Sequence, residues 1–251
     1  MVVDFLKKQL LKAGFEITRI NKPKKWPVDF EDWHKAIIQK AEPFTMTSRE
    51  RMYGLLEAVK YLEQNQVEGD VVECGVWKGG SMLAIAEALV KFKNTNRQLF
   101  LYDTFEGMPP PSGDDVSYTD QTAETLLNEN ENKEESLIWA YSPIEKVKQA
   151  IALSAYPKEQ IHYVKGKVEE TIPGTIPGKI ALLRLDTDWY ESTRHELIHL
   201  FPRLVPGGVL IIDDYGFWKG ARKAVDEYFT ENKTRILLTR MDDTGRMAIK
   251  M

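Results

Sequence analysis

Cysteine is almost absent: Cys74 is the single one in 251 residues, which excludes an internal disulfide framework and any paired-cysteine metal or redox site. Long hydrophobic runs are missing as well, since no apolar stretch approaches the ~20 residues needed to span a bilayer. The start, MVVDFLKKQLLKAGFEI, mixes charges among its apolar residues instead of separating a basic end from an apolar one, as a secretory leader would. A cytoplasmic protein is expected. Excess positive charge is also lacking: the formal net charge is -4. Without a basic patch to neutralise phosphates, neither nucleic acid nor an anionic membrane is expected as partner.

What remains is an ordinary globular composition, long enough for one large core. Val2, Phe5, Leu6, Leu10 and Phe15 recur at helical spacing, predicting an amphipathic helix suited to packing or to contact within a homo-oligomer, a dimer or larger. Asn21 to Pro43 reads as irregular. Thr47 or Ser48 then caps a helix bearing Met52, Leu55, Leu56, Val59 and Leu62 on one side. From Gly69 the pattern changes to the apolar runs VVECGVW, QLFLYDTF, IHYVKG, KIALLRLD and GGVLIIDD, alternating with helical segments. Such runs predict a parallel sheet covered on both faces. WKGARKAVDEYFTEN follows as a helix, and RILLTRMDDTGRMAIKM as two strands around a turn, giving an α/β fold with seven strands, the last antiparallel. The division predicted is 1–68 as a helical extension that covers the cofactor and 69–251 as the main domain. An insertion at about 107–160 is long enough to serve as a lid. Within it NENENKEE reads as a solvated excursion.

In parallel sheets ligands bind beyond the carboxyl ends of the strands, which places Glu73, Asp103, Asp186 and Asp213 along one rim. The stretch DVVECGVWKGGSML is a strand, a glycine turn and a helix start, so backbone can approach a ligand closely there. Its spacing is neither GxGxxG nor the P-loop pattern, which weakens a pyrophosphate reading. A tight turn with no ligand is the plain alternative. Asp103 closes the next strand, where an acid can take ribose hydroxyls. A glycine turn and a ribose acid without a phosphate cradle suit S-adenosylmethionine better than NAD.

Two acid pairs need explanation, Asp186 and Asp188 in LLRLDTDWYEST and Asp213 and Asp214 in GGVLIIDDYG. Asp-x-Asp after a strand can be a helix cap and nothing more. Neither stretch DTDW nor DDYG carries a Lys or Arg, so the crowded like charges call for a counter-ion. Arg184, inside an apolar run, could pair with a rim acid. HELIH, His195 to His199, formally matches a zinc-protease pattern, but Leu197 and Leu200 mark its helix as packed behind the sheet.

The run FTMTSRERMYGLLEAVKY, GDVVECGVWKGGSM, LYDTFEGMPPP, LLRLDTDWYEST and LFPRLVPGGVLIIDDYG, spread over Pro43 to Tyr228, resembles the macrocin O-methyltransferase family. The resemblance implies a class I methyltransferase, Rossmann-like fold with S-adenosylmethionine as donor, and Mg²⁺ holding an acceptor hydroxyl, usually a sugar hydroxyl of a glycosylated small molecule. It implies that Glu73, Gly75 and Ser81 line the amino-acid end of the donor and that Asp103 holds the ribose with Thr104 and Phe105 close by. Met46, Thr47 and Ser48 would close over the donor, and Gly166, Lys167 and Val168 would meet adenine. A hard cation that favours carboxylate oxygens makes Asp186, Asp213 and Asp214 the expected ligands, with Asp186 or Asp188 as the base. Catechol-type relatives carry a lysine three residues after the first metal aspartate; Trp189 stands there, which disfavours a lysine base. A nicotinamide-dependent dehydrogenase would account for the glycine turn and Asp103 alone. A phosphatase would want its aspartate on the first strand, where Glu73 and Cys74 stand. A non-catalytic protein built on this fold should have lost some of the acids.

Overall fold

A computed structural model describes residues 26–130 and 132–251; the apolar pattern from Val2 to Phe15 lies outside the described residues. Five parallel strands, β1 (Asp70–Cys74), β2 (Leu99–Asp103), β3 (Ile161–Lys165), β4 (Ile180–Leu185) and β5 (Leu204–Ile212), lie side by side in the order β3-β2-β1-β4-β5. Beyond β5 come β7 (Arg246–Ile249) and then β6 (Thr239–Arg240), and β7 runs antiparallel to both neighbours. From β1 the chain winds outward to β3, then returns to build β4 and β5 on the other side. The crevice between the carboxyl ends of β1 and β4 is therefore the topological switch point, the usual ligand position in open α/β sheets.

The helices are α1 (Asp32–Ala41), α2 (Arg49–Gln64), α3 (Gly80–Lys91), α4 (Ala123–Asn128), α5 (Ile144–Ile151), α6 (Val168–Thr171), α7 (Tyr190–Leu200) and α8 (Lys219–Glu231). Strand residues alternate between faces with period 2. Val71, Leu101, Leu182, Val209 and Ile211 join α1, α2 and α3 in one core cluster. Val72, Cys74, Tyr102, Leu183, Leu185, Leu210 and Ile212 join α6, α7 and α8 in another. Burying each large aliphatic side chain contributes roughly 1.5–3 kcal/mol, so both faces of the sheet are held, as the continuous apolar runs predict.

Two local readings change. The segment read as irregular contains α1, because its prolines fall outside the helix and Ile37, Ile38 and Ala41 form a buried stripe within it. His34 starts that helix by accepting from the Glu31 amide through Nδ1 at 3.0 Å, and its Nε2 lies 2.8 Å from Glu57 on α2. Near the C-terminus β6 shrinks to Thr239–Arg240. Ile236 and Leu238 pack instead against the α8 side of the core as extended chain, and Leu237 faces solvent. In the 107–160 segment, α5 buries Val147 and Ile151, while Leu153 falls past the helix end and is half-exposed.

α2 begins where the sequence puts it: Ser48 is the cap, its hydroxyl accepting from the Arg51 amide at 3.1 Å. This start matters for the site. It points the first turn of α2, and with it Arg51, at the end of β5.

Candidate active site

The period-2 alternation that buries Val71, Leu182 and Ile211 puts Glu73, Arg184 and Asp213, two residues farther along each strand, on the same face. Glu73 and Arg184 are direct partners in the β1–β4 register. The guanidinium of Arg184 is nearly sealed from water and sits at the centre of the acids: Nη1 lies 2.6 Å from Glu73 Oε1 and 2.7 Å from Asp186 Oδ2, and Nη2 lies 2.7 Å from Asp213 Oδ1. It also donates to the Thr47 hydroxyl at 3.1 Å. A second guanidinium, Arg51 on α2, takes the other oxygen of Asp213 and reaches Asp242 at 2.9 Å. Asp242 in turn accepts from the Ser48 hydroxyl at 2.6 Å, tying the segment before α2 to the β6–β7 turn.

The counter-charge missing from the two acidic stretches thus comes from distant positions. It is incomplete. The two guanidinium groups pair with Glu73, Asp186, Asp213 and Asp242, and the carboxyls of Asp188 and Asp214 beside them form no ion pair with either. Burial pushes the Glu73 carboxyl up to about 7 against the pull of Arg184. Burial and then the neighbouring charge of Asp186 push Asp188 up to about 7. Asp214 is raised well above the ordinary carboxylate range by burial and by Asp188 and Asp213; its Oδ2 is buried with no hydrogen-bond partner. Carboxylate oxygens of Asp186, Asp213 and Asp214 all lie within 4.8 Å of one another. A hard divalent cation fits this donor set: the oxygens are of the right type, negative charge is in surplus, and one buried oxygen lacks a partner.

The other half of the site is the turn after β1. Gly75 has φ 82°, and a Cβ there would stand 1.9 Å from the carbonyl oxygen of Asp186, so only glycine lets β1 pass the loop after β4. The amides of Val76 and Trp77, just past it, donate to Asp103 Oδ2 at 2.6 and 3.0 Å, and the Phe105 amide donates to Oδ1 at 2.7 Å. Three of its about four lone-pair positions are taken by these amides; the Thr104 hydroxyl stands 3.5 Å from Oδ1 but gives its proton to the Gly107 carbonyl at 2.7 Å, so one acceptor position of Asp103 is left. Burial raises its carboxyl above the ordinary range despite the amides.

Both halves open into one cavity of about 330 Å³. Its outer wall is apolar, formed by Met108, Leu137, Ile138, Phe217 and Trp218. The 107–160 segment is fastened at its root by Asp115, a buried side chain that accepts from the Tyr190 amide at 2.7 Å and the Ser112 amide at 2.6 Å. The indole of Trp189 donates to the Pro109 carbonyl at 3.0 Å and meets Trp218 edge to face at 4.9 Å.

A family model described as macrocin O-methyltransferase (TylF) matches residues 6–249. The chain belongs to the macrocin O-methyltransferase family. It is 34% identical over 201 residues to the 8-demethyl-8-(2,3-dimethoxy-alpha-L-rhamnosyl)-tetracenomycin-C 4'-O-methyltransferase of Streptomyces olivaceus, covering 80% of this chain and 73% of that one. To the mycinamicin III 3''-O-methyltransferase of Micromonospora griseorubida it is 31% identical, covering 73% and 69%. The solved structure of the O-methyltransferase NovP superposes with a TM-score of 0.72 at 29% identity, over 83% of this chain and 82% of that one. A putative caffeoyl-CoA O-methyltransferase from Staphylococcus aureus, at 13% identity and TM-score 0.55, shares the fold over 99% of this chain and the whole of that one. The protein is an O-methyltransferase with the class I fold that its strand pattern predicts.

In this methyltransferase Met46, Thr47, Gly75, Ser81, Asp103, Thr104, Gly166, Val168, Asp186, Asp188, Asp213 and Asp214 all border the cavity. Four expected residues stand back from it. Ser48 caps α2, Glu73 lies buried beneath Arg184, Phe105 is in the core and Lys167 precedes α6. Arg51 and the Phe217–Trp218 wall were not anticipated; a charge in the first turn of an amphipathic helix looks solvated until β5 is placed beside it. The HELIH histidines do not converge on a metal: their rings stack at 4.4 Å, and His195 Nε2 engages the Ile172 carbonyl at 2.9 Å.

Proposed function

We propose that this enzyme transfers a methyl group from S-adenosylmethionine to a hydroxyl of a small molecule, in the favoured case a sugar hydroxyl of a glycosylated natural product, with Mg²⁺ at Asp186, Asp213 and Asp214. The observation that carries the reading is the convergence of the glycine-turn half and the acidic half on one cavity. The tetracenomycin and mycinamicin enzymes, named for methylation at sugar positions, support the acceptor class. Neighbouring folds solved with the donor or its product, such as TomG with S-adenosylmethionine, accord with the donor.

Gly75 and Ser81 would receive the amino-acid end of the donor, with Glu73 acting from behind through Arg184. Asp103 would take a ribose hydroxyl at its remaining acceptor position, with Thr104 beside it and Phe105 shaping the turn from the core. Gly166 and Val168, past β3, would border adenine, with Lys167 between them; Met46 and Thr47 would cover the donor and Ser48 would hold that cover to α2. Bound Mg²⁺ supplies a Lewis-acidic centre that makes an alcohol more acidic. Asp188, in the cavity wall beside Asp214, is the base we favour for the hydroxyl proton; Asp186 is occupied by Arg184. Met108, Leu137 and Trp218 would exclude water while acceptor oxygen, methyl and sulfur line up. Residues 1–68 would act as the helical extension and 69–251 as the catalytic domain, its lid at about 107–160. A cytoplasmic location accords with the unpaired Cys74, and the apolar periodicity of Val2 to Phe15 with a homo-oligomer. Among the described residues no helix is long and apolar enough to cross a membrane.

Calorimetric titration with S-adenosylhomocysteine, with NAD as comparison, in Mg²⁺ and again in EDTA, tests this. Binding of the former alone is expected. Binding of neither by folded protein would turn the reading toward a non-catalytic use of the fold.

A further inference from the structure

The acids of the loop after β4 depend on an unusual piece of backbone. Asp188 has φ 68°, a left-handed conformation at a non-glycine residue, and the Trp189 amide donates to the Thr187 carbonyl at 2.8 Å across it. This three-residue turn, of a rare and strained kind, sets where Asp186 and Asp188 point. Something must hold it. On the cavity side Arg184 holds the Asp186 carboxyl and Asp188 meets Asp214 and Trp218; Thr187 is held from beneath.

Thr187, between the two acids, turns its hydroxyl away from them and donates to Glu196 Oε1 at 2.9 Å. Glu196 is the acid of the HELIH stretch, fully buried on α7, and its Oε2 has no hydrogen-bond partner. The Cys74 thiol faces it from β1. Cys74 also accepts the Asp186 amide through its carbonyl at 2.8 Å, so strand end, loop and helix meet at one point. Burial pushes the Glu196 carboxyl well above its ordinary range. A carboxyl buried this deeply is costly and out of place in a helix that leucines could pack as well, unless its hydrogen bond to Thr187 is needed.

We infer that Glu196 is a positioning residue: through the Thr187 hydroxyl it locks the Thr187–Asp188–Trp189 turn and so aims Asp186 and Asp188 into the cavity. The inference rests on the proposed roles of those two acids, and it gives the HELIH motif a purpose other than zinc.

Four variants test it: Glu196→Ala, Glu196→Gln, Thr187→Val, and Leu200→Ala as a control that weakens the same helix without touching Thr187. Two readouts are taken on the full chain, hydrogen exchange of the amides of residues 186–189 and Mn²⁺ affinity by electron paramagnetic resonance. Glu196→Ala and Thr187→Val are expected to speed exchange and weaken Mn²⁺ binding by roughly tenfold or more, the scale on which supporting partners of metal ligands act. Glu196→Gln keeps an acceptor oxygen without charge and should match the wild type in both. Leu200→Ala should lower the melting temperature and leave both readouts in place. Wild-type exchange and Mn²⁺ affinity in Glu196→Ala, failure of Glu196→Gln to rescue, or an equal change in Leu200→Ala would each overturn the inference. A wild type that binds no Mn²⁺ would sink the metal reading separately, and the exchange readout would then decide the positioning role by itself.

Discussion

Replacing Arg184 with methionine keeps an unbranched stem of about the length of its aliphatic part and removes the guanidinium with its charge. In the wild type this guanidinium serves three carboxylates at 2.6–2.7 Å, and both Glu73 and Asp213 are almost completely enclosed. Removing one partner of a buried pair costs about 3–5 kcal/mol, because the other charge is left uncompensated; here at least two are left. Against a total stability of about 5–15 kcal/mol, and at roughly 2–4 °C per kcal/mol for a chain of this size, the melting temperature should fall by roughly 6–20 °C. The loss should also depend on pH. Glu73 stands at about 7 with Arg184 in place, and without the cation it rises further. A carboxyl raised above its unfolded value contributes stability that is full below the unfolded pKa and is lost as pH rises through the folded one. The wild type completes that loss near 7, whereas the variant goes on losing stability above it. The deficit of Arg184→Met should therefore be larger at about pH 9 than at about pH 6, and Glu73→Gln added to it should remove most of that widening. Differential scanning calorimetry in EDTA at both pH values is the assay. A variant within ~1 kcal/mol of the wild type, or a deficit that does not change with pH, would refute the account of this network.

Asp214→Asn removes the carboxylate with the orphaned oxygen; divalent-cation affinity by calorimetry should drop by no less than the roughly 10–100-fold that loss of a supporting partner costs, while S-adenosylhomocysteine binding persists. Gly75→Ala places a methyl group 1.9 Å from the Asp186 carbonyl oxygen at a left-handed φ. The conformational cost alone is about 1–2 kcal/mol and the clash adds to it, so a clear fall in melting temperature is expected; an unchanged one would mean that the loop after β4 can move aside. Burial raises the Cys74 thiol well above its ordinary range, so iodoacetamide at mildly alkaline pH should label the native protein far more slowly than the urea-unfolded chain, as read by mass spectrometry.

The strands were legible because β1, β4 and β5 are buried on both faces and so appear as continuous apolar runs. The two acid pairs were legible because charge at the end of such a run is conspicuous. The arginine network was not. Arg184 looked out of place in its strand, yet its partners Glu73 and Asp213 lie 111 and 29 residues away, and only the β1–β4–β5 register makes them neighbours. Arg51 gave no signal at all, since a first-turn charge on an amphipathic helix is ordinarily solvated. The two-residue β6 escaped for the opposite reason: ILL in RILLTR has the composition of a strand, but Ile236 and Leu238 find their burial against α8 without one.

The two arginines also bear on how the site keeps its shape. Five carboxyl groups brought together at strand ends would repel one another, and an unpaired buried charge costs more than folding can spare. Arg184, anchored within the sheet, holds Glu73, Asp186 and Asp213 in place. Arg51 differs, because it arrives on α2 from the segment that contains Met46 and Thr47, and it joins Asp213 to Asp242 on the C-terminal turn. The segment of Met46 and Thr47 is thus tied electrostatically to the acidic half of the cavity. The carboxyls that neither guanidinium reaches, Asp188 and Asp214, border the cavity, and burial and neighbouring acids raise both above the ordinary carboxylate range. Polar groups fixed before a ligand arrives are worth more than groups recruited on arrival; here the sheet register fixes Glu73, Arg184 and Asp213, and the turn after β4 fixes Asp186 and Asp188.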